Sequence, residues 1–243
     1  MNHLKKFDEF QPLSENVMSV PSWWDKAKEV VGDVVGKAKE IGGKIADKAD
    51  DISDKGMDKF DNITGRSHSL DKKGLMFGSL IDRHMEEDAE LFKSKVIEVA
   101  SRLKINPNWL LVVIEKESSF NPRAKNPNGS ASGLLQMIDS SARGVGTTSA
   151  ALRQMKGSQQ LDYIYKYFKG YTGKMNCVED VYMITFRPSY FKHRNDPNKV
   201  VASGRTARIN SVVDLNKDGE IKMSEFKAYV RQGLPADINK KFA

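Results

Sequence analysis

Residues 110–122 read LLVVIEKESSFNP, in which Glu117 follows a strongly apolar run. The apolar run predicts a buried helix from Asn108 to about Ser118. A carboxyl group held against apolar packing resists ionisation, so its pKa rises. A pKa raised towards neutral pH suits a general acid that protonates a leaving oxygen. From spacing alone, the alternative is a solvated glutamate at a helix end.

A longer amphipathic helix is predicted before this segment, from about Leu75 to Leu103, and Asn106-Pro107 ends it. Residues 61–75 carry Gly, Ser, Asn and Asp without an apolar period and are interpreted as a linker. Apolar residues at helical spacing predict one buried face on the helix. That face comprises Leu80, His84, Leu91, Val96, Val99 and Leu103.

Two motifs extend the pattern around Glu117. The first is Glu117-Ser118 followed by Phe120-Asn121-Pro122, and the second is Gly133-Leu134-Leu135-Gln136-Met137. In this order and spacing they resemble the soluble lytic transglycosylase (SLT-type) family of lysozyme-like enzymes. The resemblance covers about residues 90–230 and implies a mainly α, lysozyme-like catalytic domain, assigned to residues 75–205.

The downstream sequence is similar to the phage branch of that family, found in tail-associated lysins. In that branch a Tyr-Met segment runs into an aromatic-Pro-Ala-Ala string, and here the string is Tyr182-Met183-Ile184-Thr185-Phe186-Arg187-Pro188-Ser189. Arg187 stands where an aromatic residue is usual, which alters the sugar-subsite wall expected there. The resemblance implies a peptidoglycan-cleaving enzyme carried by a phage virion and delivered to the host cell wall.

The resemblance also implies a mechanism with one carboxylate. Glu117 is expected to protonate the glycosidic oxygen between N-acetylmuramic acid and N-acetylglucosamine, and then to act as base on the muramoyl C6 hydroxyl. The 1,6-anhydro product forms without a second carboxylate, unlike the reaction of most glycosidases. No cofactor is expected to take part in catalysis.

Other residues are assigned to substrate binding by their chemical type. Ser118 is expected to orient Glu117, Gln136 to hydrogen-bond an N-acetyl group, and Met137 to pack on a sugar face. Tyr182 is the candidate for the tyrosine that touches the catalytic carboxylate, with a core tyrosine as the alternative. Tyr163 belongs to an aromatic cluster that is expected to be core, although one member stacking on sugar stays open.

Two alternatives to this function stay open. If Asp139 or Asp162 positions a water, the enzyme is a hydrolytic muramidase, although Asp139 is expected to cap a helix instead. A lysozyme-like virion protein that has lost activity is the other alternative. The intact Glu117 argues against it, and the unusual Arg187 argues mildly for it.

Residues 214–225, DLNKDGEIKMSE, match the EF-hand calcium loop. Calcium requires six to eight oxygens, a sharp turn at position 6 and a bidentate carboxylate at position 12. Lys222, at position 9, offers no oxygen, so water is expected there. The alternative is a solvated acidic turn, and the expected role of calcium is structural, within a segment of residues 206–243. The expected ligands are Asp214, Asn216, Asp218, the carbonyl of Glu220, and Glu225.

The first 70 residues differ in composition from the remainder. Residues 1–21 are interpreted as a leader, and Leu13-Ser14-Glu15 resembles the step at which phage maturation proteases cut. Residues 22–70 are interpreted as an amphipathic helical extension and linker. The helix is expected to dock on a virion protein through residues 22–60, to lie on a membrane surface with Trp23 and Trp24 as anchors, or to be a charged linker.

Charge and composition limit the remaining function classes. Residues 71–213 hold 22 Lys/Arg and 14 Asp/Glu, a net charge of +8, which favours an acidic wall polymer. Nucleic-acid binding is not expected, because no motif for it is present. One cysteine, Cys177, excludes an intrachain disulfide. No apolar stretch of about 18 residues predicts a membrane span, and residues 1–16 lack the apolar core of a signal peptide.

Overall fold

The computed structural model describes residues 70–71 and 73–240, and this part of the chain is mainly helical, as predicted. The expectations for the leader, the extension over residues 22–69 and the Leu13-Ser14-Glu15 step lie outside the described residues. The elements are α1 (Gly78–Met85), α2 (Ala89–Leu103), α3 (Pro107–Ser118), α4 (Asp139–Gly144), α5 (Ser149–Leu152), α6 (Gly157–Phe168), α7 (Val178–Phe186), β1 (Val200–Ser203), α8 (Gly204–Ile209), β2 (Glu220–Lys222) and α9 (Met223–Arg231), with 3₁₀ turns at Glu86–Asp88, Lys169–Tyr171 and Pro188–His193.

The single helix predicted from Leu75 to Leu103 is wrong, because the structure divides it into α1 and α2 at a 3₁₀ turn. Glu86 leaves helical geometry, with φ 49° and ψ −123°. The next carboxylate, Asp88, is buried and accepts hydrogen bonds from the backbone N–H and the hydroxyl of Ser158, at 2.8 and 2.6 Å. The turn therefore joins the break to the first turn of α6.

The break also explains where the predicted buried face fails. Leu91 is 59% exposed and His84 is exposed, whereas the other members of that face are buried. A turn between two helices resets the helical register, so α1 and α2 do not share one continuous face. The predicted period therefore holds within α2 for Val96, Val99 and Leu103 only.

The central helix is α3, and it begins where the sequence predicts. The side chain of Asn106 caps it by accepting a hydrogen bond from the N–H of Asn108 at 2.8 Å, and Pro107 fills the first helical position. Every residue from 107 to 114 is buried. Helices α2 and α7 both pack on α3, so its final turn, with Glu117, lies at the edge of the core.

The C-terminal segment belongs to the same core as the helices before it. Strands β1 and β2 pair antiparallel, with Ala202 opposite Ile221. The indole N–H of Trp109, on α3, donates to the carbonyl of Ile238 at 2.7 Å. The expected boundary at residue 205 falls inside α8, and the residues on both sides of it contribute to one core. None of the helices in the described part of the chain has the length and apolar character needed to cross a membrane.

Candidate active site

Glu117 lies in the last turn of α3 with its side chain half-buried. Burial raises the pKa of its carboxyl group to about 8, and a hydrogen bond from Tyr182 acts in the opposite direction by favouring the charged form. The carboxyl group is thus largely protonated at neutral pH. That is the protonation state from which a general acid acts.

Tyrosines from two other helices surround this carboxyl group. Tyr182, on α7, is fully buried and hydrogen-bonds to both Glu117 and Tyr229. Tyr229, on α9, stacks on Tyr182 with ring centroids 6.5 Å apart. Burial, followed by the charge of Glu117, raises the pKa of Tyr182 well above its usual range and that of Tyr229 to about 12. These phenols keep their protons at working pH, so Glu117 is the group here that exchanges one.

The loop after α3 is anchored by the aromatic residue of the Phe-Asn-Pro motif. Phe120 is fully buried, with its ring 5.5 Å from that of Phe77 and 6.4 Å from that of Phe92. Ser119 and Phe120 both have positive φ, at 48° and 63°, which turns the chain sharply beyond Glu117. Each residue held at positive φ costs about 1–3 kcal/mol. Burial of the Phe120 ring offsets this cost.

Gln160, on α6, holds the Gly-Leu-Leu-Gln-Met turn in place through hydrogen bonds of its side chain. Its side-chain oxygen accepts from the N–H of Leu134 at 2.8 Å, and its nitrogen donates to the carbonyls of Pro122 and Leu152 at 2.7 and 2.9 Å. Gly133 has φ +76°, and a Cβ there would lie 2.5 Å from that same side-chain oxygen. The glycine of the motif is therefore required both by backbone conformation and by the approach of Gln160.

Two residues assigned to substrate binding are engaged within this loop. The side-chain nitrogen of Gln136 donates to the carbonyl of Gly133 at 2.9 Å and, less closely, to that of Ala124 at 3.4 Å. Met137 is 4% exposed, and its carbonyl accepts from the hydroxyl of Ser149 at 3.1 Å. Both residues hold the loop together, and their contacts with sugar stay predictions.

Ser118 and Tyr163 are placed differently from Tyr182. The hydroxyl of Ser118 donates to the carbonyl of Ile114 at 3.1 Å, one helical turn back, so the described hydrogen bond to Glu117 comes from Tyr182 instead. Tyr163 is half-buried on α6, with the ammonium group of Lys166 4.7 Å from its ring centroid. Stacking of Tyr163 on sugar stays a prediction.

The two alternative carboxylates have surroundings of their own. Asp162 forms an ion pair with Lys95 at 2.7 Å on the outer surface of α6 and α2. Asp139 is the first residue of α4, whose N-cap is Ile138, so the expectation that Asp139 caps this helix is wrong. An acidic side chain at the first position interacts favourably with the helix dipole. The unusual Arg187 donates a hydrogen bond to the carbonyl of Val201 and covers the ring of Tyr190 at 4.6 Å. It thereby ties the end of α7 to β1.

The acidic loop over residues 214–225 adopts a turn closed by its own side chains. One oxygen of Asp214 accepts from the N–H of Gly219 at 3.0 Å, and Gly219 has φ +86°. One oxygen of Glu225 accepts from the N–H groups of Leu215 and Asn216, and its other oxygen accepts from that of Lys222. The carboxylates at positions 1 and 12 thus both accept hydrogen bonds from backbone N–H groups within the loop.

One observation fits a cation in this loop. Asp214 is buried, and its Oδ1 atom has no hydrogen-bond partner among the described residues. A buried carboxylate oxygen without a partner is costly unless a cation or a water satisfies it. Among residues 70–71 and 73–240, no group of three or more His, Cys, Asp or Glu side chains is gathered closely enough to hold a metal ion. The EF-hand donors differ in kind, because Asn216 and a backbone carbonyl are among them.

Tyr229 and Gln160 were not identified from the sequence. Tyr229 belongs to the segment SEFKAYVRQ, which follows the acidic loop and contains no motif that singles this residue out. Gln160 was one polar residue in a helix otherwise notable for its aromatic residues. The sequence spacing of these two residues does not predict their contacts, because each meets its partner through the packing of helices that are distant along the chain.

The comparisons with known proteins agree with the motifs around Glu117. Residues 94–175, about a third of the chain, match the family model described as the Transglycosylase SLT domain. No curated protein and no solved structure matches the chain significantly. The matched residues include α3 with Glu117 and the loop that Gln160 organises. Residues 94–175 are therefore similar to the SLT domain, whose family members are lytic transglycosylases that cleave glycosidic bonds in peptidoglycan.

Proposed function

We propose that Glu117 alone performs both proton transfers of a lytic transglycosylase reaction on the β-1,4 bond between N-acetylmuramic acid and N-acetylglucosamine. The protonated carboxyl group gives its proton to the glycosidic oxygen as the bond from that oxygen to muramoyl C1 breaks. The resulting carboxylate takes the proton of the muramoyl C6 hydroxyl, whose oxygen bonds to C1. No water is consumed, and Glu117 ends protonated, ready for the next cycle.

The observation that carries this proposal is the environment of Glu117. Burial raises its pKa to about 8, which supports the first step, and the hydrogen bond from Tyr182 favours the carboxylate needed in the second. Asp162 is engaged by Lys95, which argues against its use as a second carboxylate.

Mass spectrometry of the muropeptides released from purified peptidoglycan tests the proposal. We expect 1,6-anhydro products from the wild type and a loss of about 10²–10⁴-fold in rate for Glu117→Gln. Glu98→Gln, a surface carboxylate on α2 paired with Arg102, is the matched control and retains activity. Reducing-end products abolished by Asp139→Asn or Asp162→Asn would instead identify a hydrolytic muramidase.

We further propose that residues 214–225 bind one calcium ion with a structural role. The side chains of Asp214, Asn216, Asp218 and Glu225, the carbonyl of Glu220 and water opposite Lys222 would supply the oxygens. The unpartnered Oδ1 atom of Asp214 supports this proposal. Bound calcium would neutralise the carboxylates of the loop and takes no part in the proton transfers. Isothermal titration of the full chain with calcium measures binding, and absence of binding at millimolar calcium would reject the proposal.

We also propose that the enzyme acts from a phage particle and attaches to virion proteins through residues 22–60. The support is the resemblance of the sequence downstream of Glu117 to tail-associated lysins and that of Leu13-Ser14-Glu15 to the step at which phage maturation proteases cut. The net charge of +8 over residues 71–213 suits approach to an anionic wall. Mass spectrometry of purified virions tests both points. A chain that starts at Met1 in the virion rejects cleavage after Glu15, and its absence from virions rejects the location.

A further inference from the structure

Helix α9 connects the acidic loop to the residues behind Glu117. Its first turn contains Glu225, whose carboxylate accepts hydrogen bonds from backbone N–H groups at both ends of the loop. The next residue is Phe226, which is fully buried, and Tyr229 follows one turn after Glu225. A displacement of the first turn of α9 therefore moves these two aromatic side chains with it.

The aromatic side chains of α9 form the surface against which Tyr182 is held. The ring of Phe226 lies 5.8 Å from that of Tyr182 and 5.3 Å from that of Phe186, measured between centroids. Tyr229 stacks on Tyr182 and hydrogen-bonds to it. Tyr182 in turn donates its hydrogen bond to Glu117, so a continuous set of contacts joins Glu225 to the catalytic carboxyl group.

Two further contacts attach α9 to the helices that carry the site. Arg231 and Glu179, at the start of α7, form an ion pair at 2.5 Å. The ammonium group of Lys116, next to Glu117 on α3, lies 4.9 Å from the centroid of the Tyr229 ring. Since both α3 and α7 contact α9 directly, the position of α9 bears on Glu117 and on Tyr182 together.

The negative charge of the loop gives an electrostatic basis for a change at α9 when a cation binds. Its twelve residues hold four carboxylates and two lysines, a net charge of −2. Lys222 partly offsets this charge through an ion pair with Asp218 at 3.2 Å. A divalent cation at the centre would draw Asp214 and Glu225 together and fix the first turn of α9.

We propose that calcium binding at residues 214–225 and saccharide binding at Glu117 are energetically coupled through α9, so that each ligand strengthens the binding of the other. The proposal rests on the calcium site proposed above and gives the loop a regulatory role beyond stability. Coupling between two binding sites is reciprocal, so both affinities change by the same factor. Coupling of this kind typically changes affinity by about 5–150-fold, and we expect a factor of about 5 or more.

Titration calorimetry of the full chain bearing Glu117→Gln tests the coupling without turnover of the saccharide. The calcium Kd is measured with and without a saturating hexamer of N-acetylglucosamine, and the hexamer Kd with and without calcium. We expect both values to fall by the same factor of about 5 or more. A factor of one in both titrations, or no calcium binding, overturns the inference, whereas the muropeptide products of the wild type decide the enzymatic function separately.

A pair of tyrosine variants locates the coupling in α9. In the same Glu117→Gln background, Tyr229→Phe removes the hydrogen bond to Tyr182 and is expected to bring the factor close to one with calcium still bound. Tyr165→Phe, on α6 beneath Arg102, is the matched control and retains the full factor. Equal factors in the two variants would overturn the assignment to α9.

Hydrogen exchange provides a readout that needs no saccharide. Calcium is expected to slow amide exchange in α9 from Phe226 to Val230 and in α7 around Tyr182. Protection confined to residues 214–222 would contradict the inference, because calcium binding would then leave the helices around Glu117 unchanged.

Discussion

The phenol of Tyr182, on α7, donates a hydrogen bond to the carboxyl group of Glu117 at the end of α3. Tyr182 is itself fixed by Phe226 and Tyr229 of α9. Three helices from separate parts of the chain thus set the protonation and the orientation of one glutamate. The following predictions concern that carboxyl group, the loop beside it and the acidic loop that precedes α9.

The raised pKa of Glu117 predicts a pH-dependent cost in stability. A group whose pKa is higher in the folded than in the unfolded state contributes stability at low pH that is lost as pH rises through the folded pKa. The wild type is therefore expected to lose stability between about pH 4.5 and about 8, relative to Glu117→Gln. One pKa unit corresponds to about 1.4 kcal/mol, so the loss in the free energy of unfolding is at most about 5 kcal/mol. Because Glu117 is half-buried, we expect about 2–3 kcal/mol.

Urea denaturation of both proteins at pH 4, 6 and 9 measures this difference. Glu98→Gln, on the surface of α2, is the control and should follow the wild type at every pH. A constant difference between the wild type and Glu117→Gln would mean that Glu117 ionises normally in the folded protein.

The pH dependence of catalysis is expected to follow the same group. Because the first step needs a protonated carboxyl group, kcat/KM should fall above about pH 8. Tyr182→Phe removes a hydrogen bond that favours the charged form, so the pKa of Glu117 rises and the falling limb moves to higher pH by about one unit. Turbidity clearing of peptidoglycan across pH 5–10 measures the limb. A limb that stays in place would show that the Tyr182 bond does not act on the free enzyme.

The loop after α3 should depend on the glycine at position 133. In Gly133→Ala, the positive φ and the contact of a Cβ with Gln160 act together, and we expect a loss of about 2–4 kcal/mol in stability. Gly146→Ala separates the two effects, because Gly146 also has positive φ but no atom within 4 Å of its Cβ position, and should lose about 1–2 kcal/mol.

Gly144→Ala completes this series as the matched control. Gly144 lies in α4 with open space around its Cβ position, so alanine there should be neutral or stabilise by up to about 1 kcal/mol. Chemical denaturation of the three variants measures the order. Equal losses at positions 133 and 146 would show that Gln160 yields to the new side chain without cost.

Removal of calcium is expected to lower the melting temperature. At calcium concentrations near 100 times Kd, binding contributes about 2.7 kcal/mol, which corresponds to roughly 5–10 °C for a domain of this size. EGTA should remove this increment from the wild type, and Glu225→Gln should lack it from the outset. An unchanged melting temperature with EGTA would reject a structural role for calcium.

Glu220→Gln is the matched control for the calcium experiment. Position 7 of the loop contributes its backbone carbonyl, so this variant removes one negative charge and leaves the proposed ligand in place. The response to EGTA should therefore persist in Glu220→Gln. If the response to EGTA disappeared in both Glu225→Gln and Glu220→Gln, it would depend on the net charge of the loop and not on an EF-hand geometry.

Features that are local along the chain could be predicted from the amino-acid sequence. The apolar run from Trp109 to Ile114 predicted α3 and the burial next to Glu117, because a helix that is apolar on all sides must be enclosed. The spacing of the acidic loop was likewise readable, because its proposed ligands lie within twelve consecutive residues. The family match over residues 94–175 agrees with the motifs around Glu117.

Which distant residues complete the site depends on tertiary packing. Tyr229 reaches Tyr182, and Gln160 reaches Gly133, through helix packing, and no local pattern encodes such a contact. The break at Glu86 was also missed, because it follows from the bond between Asp88 and Ser158 on another helix. Helical periodicity reports which face of a segment is buried, whereas the partner of that face depends on how separate segments pack together.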